Sequence, residues 1–349
     1  MGVPPSGKRF QAIANSMPKQ CSLGDPSGEP CPGMTYMSRK PVITSKPMRT
    51  HHASRTAVKV GRMIVWLSRQ PRLGPLVPQN ILSSMERILL QVGELKPWML
   101  RVYESPWYSR LITAIERRTI PGQALEIGLR KRFMDDETRA ALARGSRQVL
   151  VVGAGLDMLC WRLAPEHPEI TFVEVDHPAT QALKREALDA TGPRPSNLHL
   201  LGVDLARTTL EEALSGLPVW RAELPSVVIA EALLMYLEEK SVSAFLQAVH
   251  RCTGPGSLLL FTCIQNDEQG RLRLGKATRW MVEEGLRLAG EPFLWHIPER
   301  ELRPFLARHG FRMDVTPERV DLHRRYVEPA GMPEVPVARY EFPVVADRE

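Results

Sequence analysis

Short apolar runs alternate with amphipathic segments along the chain from Gln148 onward. Five runs have the length and continuity of strands that are buried on both faces: residues 148–152, 170–175, 197–202, 226–231 and 257–263. The segments between and after these runs have the periodicity of amphipathic helices. They cover about residues 157–163, 178–190, 208–215, 239–251, 276–289 and 299–309. Strands and helices that alternate at this spacing form a parallel sheet covered by helices on both faces.

Two further segments, 311–316 and 337–343, predict the last strands and an antiparallel end to the sheet. The expected fold class is therefore α/β, with a central, mostly parallel, seven-stranded sheet. Residues 147–349 form this sheet domain, and an insert is expected at about 265–310.

The region before the sheet is predicted to be helical over residues 51–146. Apolar residues of segment 81–92 fall on one helical stripe, and segments 107–118 and 124–145 have the same character. Gly145 is a typical residue for the end of the last of these helices.

The first 50 residues contain eight prolines and five glycines among basic and small polar residues, which predicts a disordered extension. Residues 1–62 carry a formal charge of +8, although the whole chain carries only +7. The body that follows is close to neutral, so the basic composition does not indicate a nucleic-acid partner for it. The chain has no run of about 18 apolar residues, so we expect no membrane span.

The five cysteines contain no CxxC pair, and three of them fall in or beside predicted core elements. Free thiols of this kind suit a reducing compartment. Because no apolar signal segment lies near the start, we expect a cytoplasmic location.

A glycine turn follows the first buried strand. Gly153 and Gly155 lie between the run VLVV and an amphipathic segment, as in a nucleotide-binding strand–turn–helix unit. A dinucleotide-binding turn has a third glycine where this chain has Met158, and Asp157 would repel a pyrophosphate there. The turn therefore favours an uncharged or cationic edge of a ligand.

Acidic residues follow the next three strands at intervals of 28 and 27 residues. Because the carboxyl ends of parallel strands share one rim, these side chains are expected to face one site. Asp176 suits the two hydroxyls of a ribose. Asp204 can accept a hydrogen bond from an adenine amino group, and the Leu205 amide can donate one to a ring nitrogen. Glu231 suits a cationic part of the ligand.

Five segments, in this order and spacing, resemble class I S-adenosylmethionine-dependent methyltransferases, and among them the leucine carboxyl methyltransferase-like family. The segments are LRKRFMDDE (129–137), GAGLD (153–157), EVDHP (174–178), GVDLA (202–206) and AEALLMYL (230–237). The resemblance extends over about residues 53–265.

The resemblance implies a Rossmann-like fold with an N-terminal helical lid, and S-adenosyl-L-methionine as cofactor. It implies that Arg130, with Arg132 as the near alternative, binds the methionine carboxylate, and that Glu231 binds the methionine amine. Gly153 and Gly155 would line the cofactor. An arginine fork is the expected partner of a carboxylate.

Methyl transfer from a sulfonium is an in-line displacement, for which alignment and exclusion of water matter most and no metal is needed. Tyr236, beside the end of the fourth strand, is the candidate catalytic residue. The segments PWML (97–100) and SPWYSRL (105–111) are candidate walls of the acceptor pocket. A carboxylate acceptor needs no base and a hydroxyl acceptor does.

The sequence therefore predicts an O-methyltransferase that acts on a carboxylate or hydroxyl of a small molecule. We expect no nucleic-acid or membrane partner, and the acceptor and the oligomeric state stay open. The alternatives are an NAD(P)-dependent oxidoreductase of Rossmann type and a noncatalytic nucleotide-sensing or RNA-associated module. The missing third glycine and the acid after the third strand disfavour the oxidoreductase.

Overall fold

The buried apolar runs form one sheet of seven strands in the computed structural model, which describes residues 55–267, 269 and 271–349. The strands are β1 (Gln148–Val152), β2 (Thr171–Asp176), β3 (Leu198–Gly202), β4 (Ser226–Ala230), β5 (Leu258–Ile264), β6 (Phe311–Asp314) and β7 (Glu341–Arg348). Their order is β3-β2-β1-β4-β5-β7-β6. Neighbours among β1 to β5 are parallel, and β7 is antiparallel to both β5 and β6. The predicted α/β fold with a mostly parallel seven-stranded sheet is confirmed.

Each strand of the sheet centre contributes to both hydrophobic faces. In β1, Val149 and Val151 belong to one buried cluster, and Leu150 and Val152 belong to the other. This alternation follows from the two-residue period of a strand. It explains why the strand is an unbroken apolar run in the sequence.

The last strand begins and ends later than predicted, at Glu341 and Arg348 instead of 337 and 343. Pro343, at which the predicted segment ends, lacks the amide hydrogen that a strand with neighbours on both sides uses. In the structure, β6 pairs only with residues from Val345 onward, so Pro343 has a strand neighbour on the β5 side alone. A missing donor is tolerated at that position.

Twelve α-helices surround the sheet in the described residues. They are α1 (Arg55–Leu67), α2 (Gln79–Gln91), α3 (Pro97–Glu104), α4 (Pro106–Arg118), α5 (Gln123–Ala143), α6 (Leu159–Leu163), α7 (Pro178–Asp189), α8 (Leu210–Ser215), α9 (Glu239–Cys252), α10 (Lys276–Ala289), α11 (Glu299–Arg308) and α12 (Pro317–Val320). The helical region predicted before the sheet is therefore present as α1 to α5. The predicted extension 1–50 lies outside the described residues. None of the helices in the described part is long and apolar enough to cross a membrane.

Helices α1, α2 and α5 pack with α6 and α7 on one face of the sheet, and α8, α9 and α11 pack on the other. The long helix α5 passes close to α1 at Gly128. A Cβ atom at that glycine would lie 2.5 Å from Leu67 Cδ2 and 2.9 Å from Val77 Cγ2. Both neighbouring side chains are buried, and they occupy the space that a larger residue at position 128 would need.

We expect Gly128→Ala to lower the free energy of unfolding by about 1–3 kcal/mol, because the added methyl overpacks this crossing. Urea unfolding would measure the change. Gly285→Ala is the matched control, since α10 leaves open space around that position, and it should stabilise the helix slightly. An equal response at the two positions would contradict the close-packing explanation.

Candidate active site at the carboxyl ends of the strands

The glycine turn after β1 is a sharp bend at the place where the strand order reverses. Gly153 and Gly155 have φ of +69° and +51°, a region that favours glycine. The Gly153 amide donates to the carbonyl of Val175 at the end of β2, at 2.8 Å. A Cβ at Gly153 would lie 2.9 Å from Leu233 Cδ1, so the turn is tightly enclosed. In open α/β sheets, ligands bind at such a reversal.

Asp176, at the end of β2, fixes this turn. Its carboxylate accepts hydrogen bonds from the amides of Gly155 and His177, each at 2.6 Å. Burial raises the pKa of Asp176 above its ordinary value, although these two amides act in the opposite direction. The predicted ribose-binding carboxylate therefore lies directly beside the second glycine of the turn.

Arg130 is the buried centre of the site. Its side chain is 2% exposed and contacts three carboxylates. Nη1 lies 3.0 Å from Glu126 and 2.7 Å from Glu341, and Nε donates to Glu231 Oε1 at 2.9 Å. Burial raises the pKa of Glu126 to about 8 against the opposing effect of Arg130, with Glu341 and Glu231 adding to the rise. Glu126 is therefore largely protonated at neutral pH.

Lys131 connects the glycine turn to the end of β4. Its ammonium lies 2.6 Å from Asp157 Oδ2 and 3.0 Å from Glu231 Oε2. Burial by itself raises the pKa of Asp157, but Lys131 and Lys184 together hold it at about 2. Asp157 is therefore an ionised partner of Lys131 beside the turn.

A second buried ion pair lies beneath the turn. Lys184 of α7 is completely buried and bonds Glu174 of β2 at 2.6 Å. The same ammonium donates to the backbone carbonyl of Asp157. This pair ties α7 and β2 to the turn, so the turn is held from below as well as from the rim.

The two arginines predicted for the methionine carboxylate have different surroundings. Arg132 donates to the carbonyl of Leu76 at 2.7 Å, and its guanidinium carbon lies 4.3 Å from the Tyr326 ring centroid. It also pairs with Asp136 at 3.6 Å. The structure therefore brings Arg130, and not Arg132, to Glu231.

The predicted adenine-binding residues follow β3. Asp204 accepts a hydrogen bond from the Ala206 amide at 3.0 Å and pairs with Arg207 at 3.4 Å. Leu205 is partly buried against the apolar cluster on the α8–α9 side of the sheet. Both lie in the loop at the carboxyl end of β3, on the rim that was predicted from their position.

Tyr236 lies in a short 3₁₀ turn after β4, beside the insert. Its ring is 5.5 Å from that of Phe293, and Met235 accepts the amide of Leu294 at 2.7 Å. Thr56 of α1 hydrogen-bonds Glu291 and also Tyr236. Burial raises the pKa of Tyr236, and Glu341 and Glu291 add to the rise. The phenol therefore stays protonated at neutral pH.

Helix α1 reaches the glycine turn from the N-terminal side. A Cβ atom at Gly155 would lie 3.8 Å from the Cβ of Ala57, and the neighbouring Thr56 contacts the Tyr236 turn. Trp98 and Trp107 are instead exposed, so their predicted place in a pocket wall is wrong for these two side chains. They belong to α3 and α4, whose exposed sides face solvent.

Sequence reasoning did not assign Glu126, Lys131 or Glu341 to the site. Glu126 precedes Arg130 by one helical turn, a spacing that signals an ion pair on a helix. Glu341 is distant in the sequence, and the antiparallel return of β7 brings it to Arg130. Within the described residues, no group of three or more His, Cys, Asp or Glu side chains could hold a metal ion.

The lowered pKa of Asp157 predicts a loss of stability in acid. The pKa is about 2 in the folded protein against an ordinary 3.8, so the stabilisation is present above pH 3.8 and is lost as the pH falls towards 2. We expect the pH-dependent part to be about 2 kcal/mol. Asp157→Asn should remove it, as measured by urea unfolding between pH 7 and 2. The exposed Asp189→Asn on α7 is the control, and an unchanged acid limb in Asp157→Asn would contradict the assignment.

Comparisons with known proteins find relatives among methyltransferases. The leucine carboxyl methyltransferase family model matches residues 81–250. A protein of Parafrankia sp. named "Putative S-adenosyl-L-methionine-dependent methyltransferase" is 34% identical over 216 residues, 59% of this chain and 64% of that protein. A protein of Mycobacteroides abscessus with the same name is 32% identical over 200 residues, 54% of this chain and 62% of that protein. The matches thus span less than two thirds of these relatives.

The crystal structure of a DUF574 family protein from Streptomyces avermitilis has the same fold, with a TM-score of 0.50 and 14% identity over 76% of this chain and 97% of that chain. The cofactor that the resemblance implies is the one in the names of the two sequence relatives. Over residues 81–250 the chain is thus similar to the leucine carboxyl methyltransferase family, and its sequence relatives are named as S-adenosyl-L-methionine-dependent methyltransferases.

Proposed function

We propose that this protein transfers a methyl group from S-adenosyl-L-methionine to an oxygen atom of a small molecule, a carboxylate or a hydroxyl. The observation that carries the proposal is the charge around the glycine turn. Three carboxylates, those of Asp157, Glu231 and Glu341, and the carboxyl group of Glu126 surround the two cations Arg130 and Lys131. An excess of acidic groups suits a ligand with a sulfonium and an ammonium group and opposes a pyrophosphate.

The amino-acid part of the cofactor fits the arginine and the rim glutamate. Arg130 uses Nε and Nη1 in its ion pairs, and its guanidinium carries a further donor nitrogen, Nη2. We assign the methionine carboxylate to that group and the methionine ammonium to Glu231. Lys131 occupies Glu231 Oε2 in this structure, so it has to yield or share that oxygen when an ammonium binds.

The nucleoside part fits the ends of β2 and β3. We assign the ribose hydroxyls to Asp176 and the adenine to Asp204 and Leu205, with Gly153 and Gly155 along the cofactor edge. When bound, the cofactor supplies an electrophilic methyl group.

The residues of this chain align the acceptor and exclude water from it. Helix α1 and the Phe293 segment cover the side of the rim that carries Tyr236. Because the Tyr236 phenol stays protonated, we propose that it donates a hydrogen bond to the acceptor and does not act as the base. An acceptor oxygen that is already ionised needs no base.

The cofactor assignment is tested by calorimetric titration of the full chain with S-adenosylmethionine. We expect Asp176→Asn and Arg130→Lys each to weaken binding about tenfold or more, because each loses hydrogen bonds to a charged or polar group of the ligand. Arg132→Lys is the matched control and should bind as the wild type does. Binding of NADH without binding of S-adenosylmethionine, in protein shown to be folded, would overturn the proposal and favour the oxidoreductase.

The acceptor class is tested by the chemistry of the product. The protein is incubated with S-adenosylmethionine that carries a labelled methyl group, together with panels of small carboxylic acids and phenols. A methyl ester releases labelled methanol in alkali, whereas a methyl ether keeps its label. Tyr236→Phe should lower the rate about tenfold or more without changing cofactor affinity, since only the acceptor contact is removed. Label that enters protein alone would contradict a small-molecule acceptor.

A further inference from the structure

Helix α4 turns a row of large apolar side chains towards solvent. Trp107, Leu111 and Ile115 follow one another at intervals of four residues and are 63%, 47% and 49% exposed. Residues at this spacing lie on one side of a helix. Trp98 of the adjoining helix α3 is 64% exposed. A contiguous exposed apolar row of this kind is typical of an interaction surface.

The opposite side of α4 is attached to the protein body. Ser109 accepts a hydrogen bond from Gln70 at 3.1 Å, and Tyr108 stacks on Tyr103 at 5.5 Å. Glu116 accepts the amide of Ala124 at 2.8 Å. These contacts fix the orientation of α4, and in that orientation the apolar row faces solvent.

The outward side of α4 is also basic. Arg110, Arg117 and Arg118 are exposed on this helix, and Lys96 and Arg101 are exposed at and within α3. The one acidic residue of α4, Glu116, faces Ala124 and not the apolar row, and α3 adds one exposed acid, Glu104, against the five cations. The surface formed by Trp98, Trp107, Leu111, Ile115 and these cations, which we call the α3–α4 surface, is thus both apolar and positively charged.

We propose that the α3–α4 surface docks on an anionic lipid bilayer. Large apolar side chains that project from a helix can insert into the boundary between the headgroups and the acyl chains of a bilayer, because lipids rearrange around them. Tryptophan suits the boundary between headgroups and acyl chains, and arginine side chains can reach lipid phosphates from beside it. The surface lies on the bilayer without crossing it, and this contact departs from the sequence-based expectation of no membrane partner.

Charge disfavours the two occupants that this chain itself could supply. A symmetric contact with a second copy would place Arg110, Arg117 and Arg118 near the same arginines of that copy. Residues 1–62 carry a formal charge of +8, so the start of the chain has the same sign as the surface. A partner that is both anionic and apolar can pair with the arginines and also cover the apolar row.

The test is co-sedimentation of the full chain with vesicles of phosphatidylcholine that contain phosphatidylglycerol, compared with phosphatidylcholine alone. We expect binding to the anionic vesicles only, weakening with added salt. The double variant Leu111→Ser, Ile115→Ser and the triple variant Arg110→Gln, Arg117→Gln, Arg118→Gln should each lower the partition coefficient about tenfold or more. Full-chain variants keep any contribution of the basic start constant.

Two matched controls separate the surface from net charge and from general stickiness. Arg144→Gln, Arg147→Gln, Arg303→Gln removes the same charge from exposed sites elsewhere, and Trp280→Ala removes an exposed tryptophan from α10. Both should bind vesicles as the wild type does. An equal loss in either control would overturn the proposal, as would failure of the wild type to bind anionic vesicles. A dimer in sedimentation velocity that Leu111→Ser, Ile115→Ser abolishes would assign the surface to a second copy instead.

Discussion

The guanidinium of Arg130 is the interaction on which the site depends. A buried charge of this kind is tolerated only with partners, and its three carboxylates come from three parts of the fold: Glu126 from α5, Glu231 from the end of β4 and Glu341 from the start of β7. The helical region before the sheet, the centre of the sheet and its antiparallel part are thereby joined at one point. That point lies at the rim where a parallel sheet binds its ligands.

The acidic excess around Arg130 and Lys131 gives the site its chemical preference. Burial is the main reason why the pKa of Glu126 is raised, and the neighbouring carboxylates of Glu341 and Glu231 raise it further. A cationic ligand relieves the repulsion between these groups. In this structure Lys131 reduces the repulsion between the carboxylates, since it forms ion pairs with both Asp157 and Glu231. Protein cations and ligand cations therefore compete for one set of carboxylates.

The N-terminal helices serve two sides of the molecule. On the inner side, Ala57 of α1 lies next to Gly155, and Thr56 contacts the Tyr236 turn. On the outer side, α4 is anchored through its polar inner residues and leaves its apolar row in solvent. The N-terminal region thus also carries large exposed apolar residues, among them Trp98 and Trp107, which were predicted to line the acceptor pocket.

The sequence by itself determined the sheet, because strands that are buried on both faces are unbroken apolar runs. It also determined where the glycine turn and the rim acids lie, because the carboxyl ends of parallel strands share one edge of the sheet. It missed the later bounds of β7, because the beginning and end of that strand follow from its pairing with β5 and β6, which is a property of the assembled sheet. Only the tertiary structure separated Arg130 from Arg132 and brought Glu341 to the site. Side chains that are two positions apart on a helix point in directions about 160° apart. Which of the two arginines is buried therefore depends on the elements that pack against each side of α5.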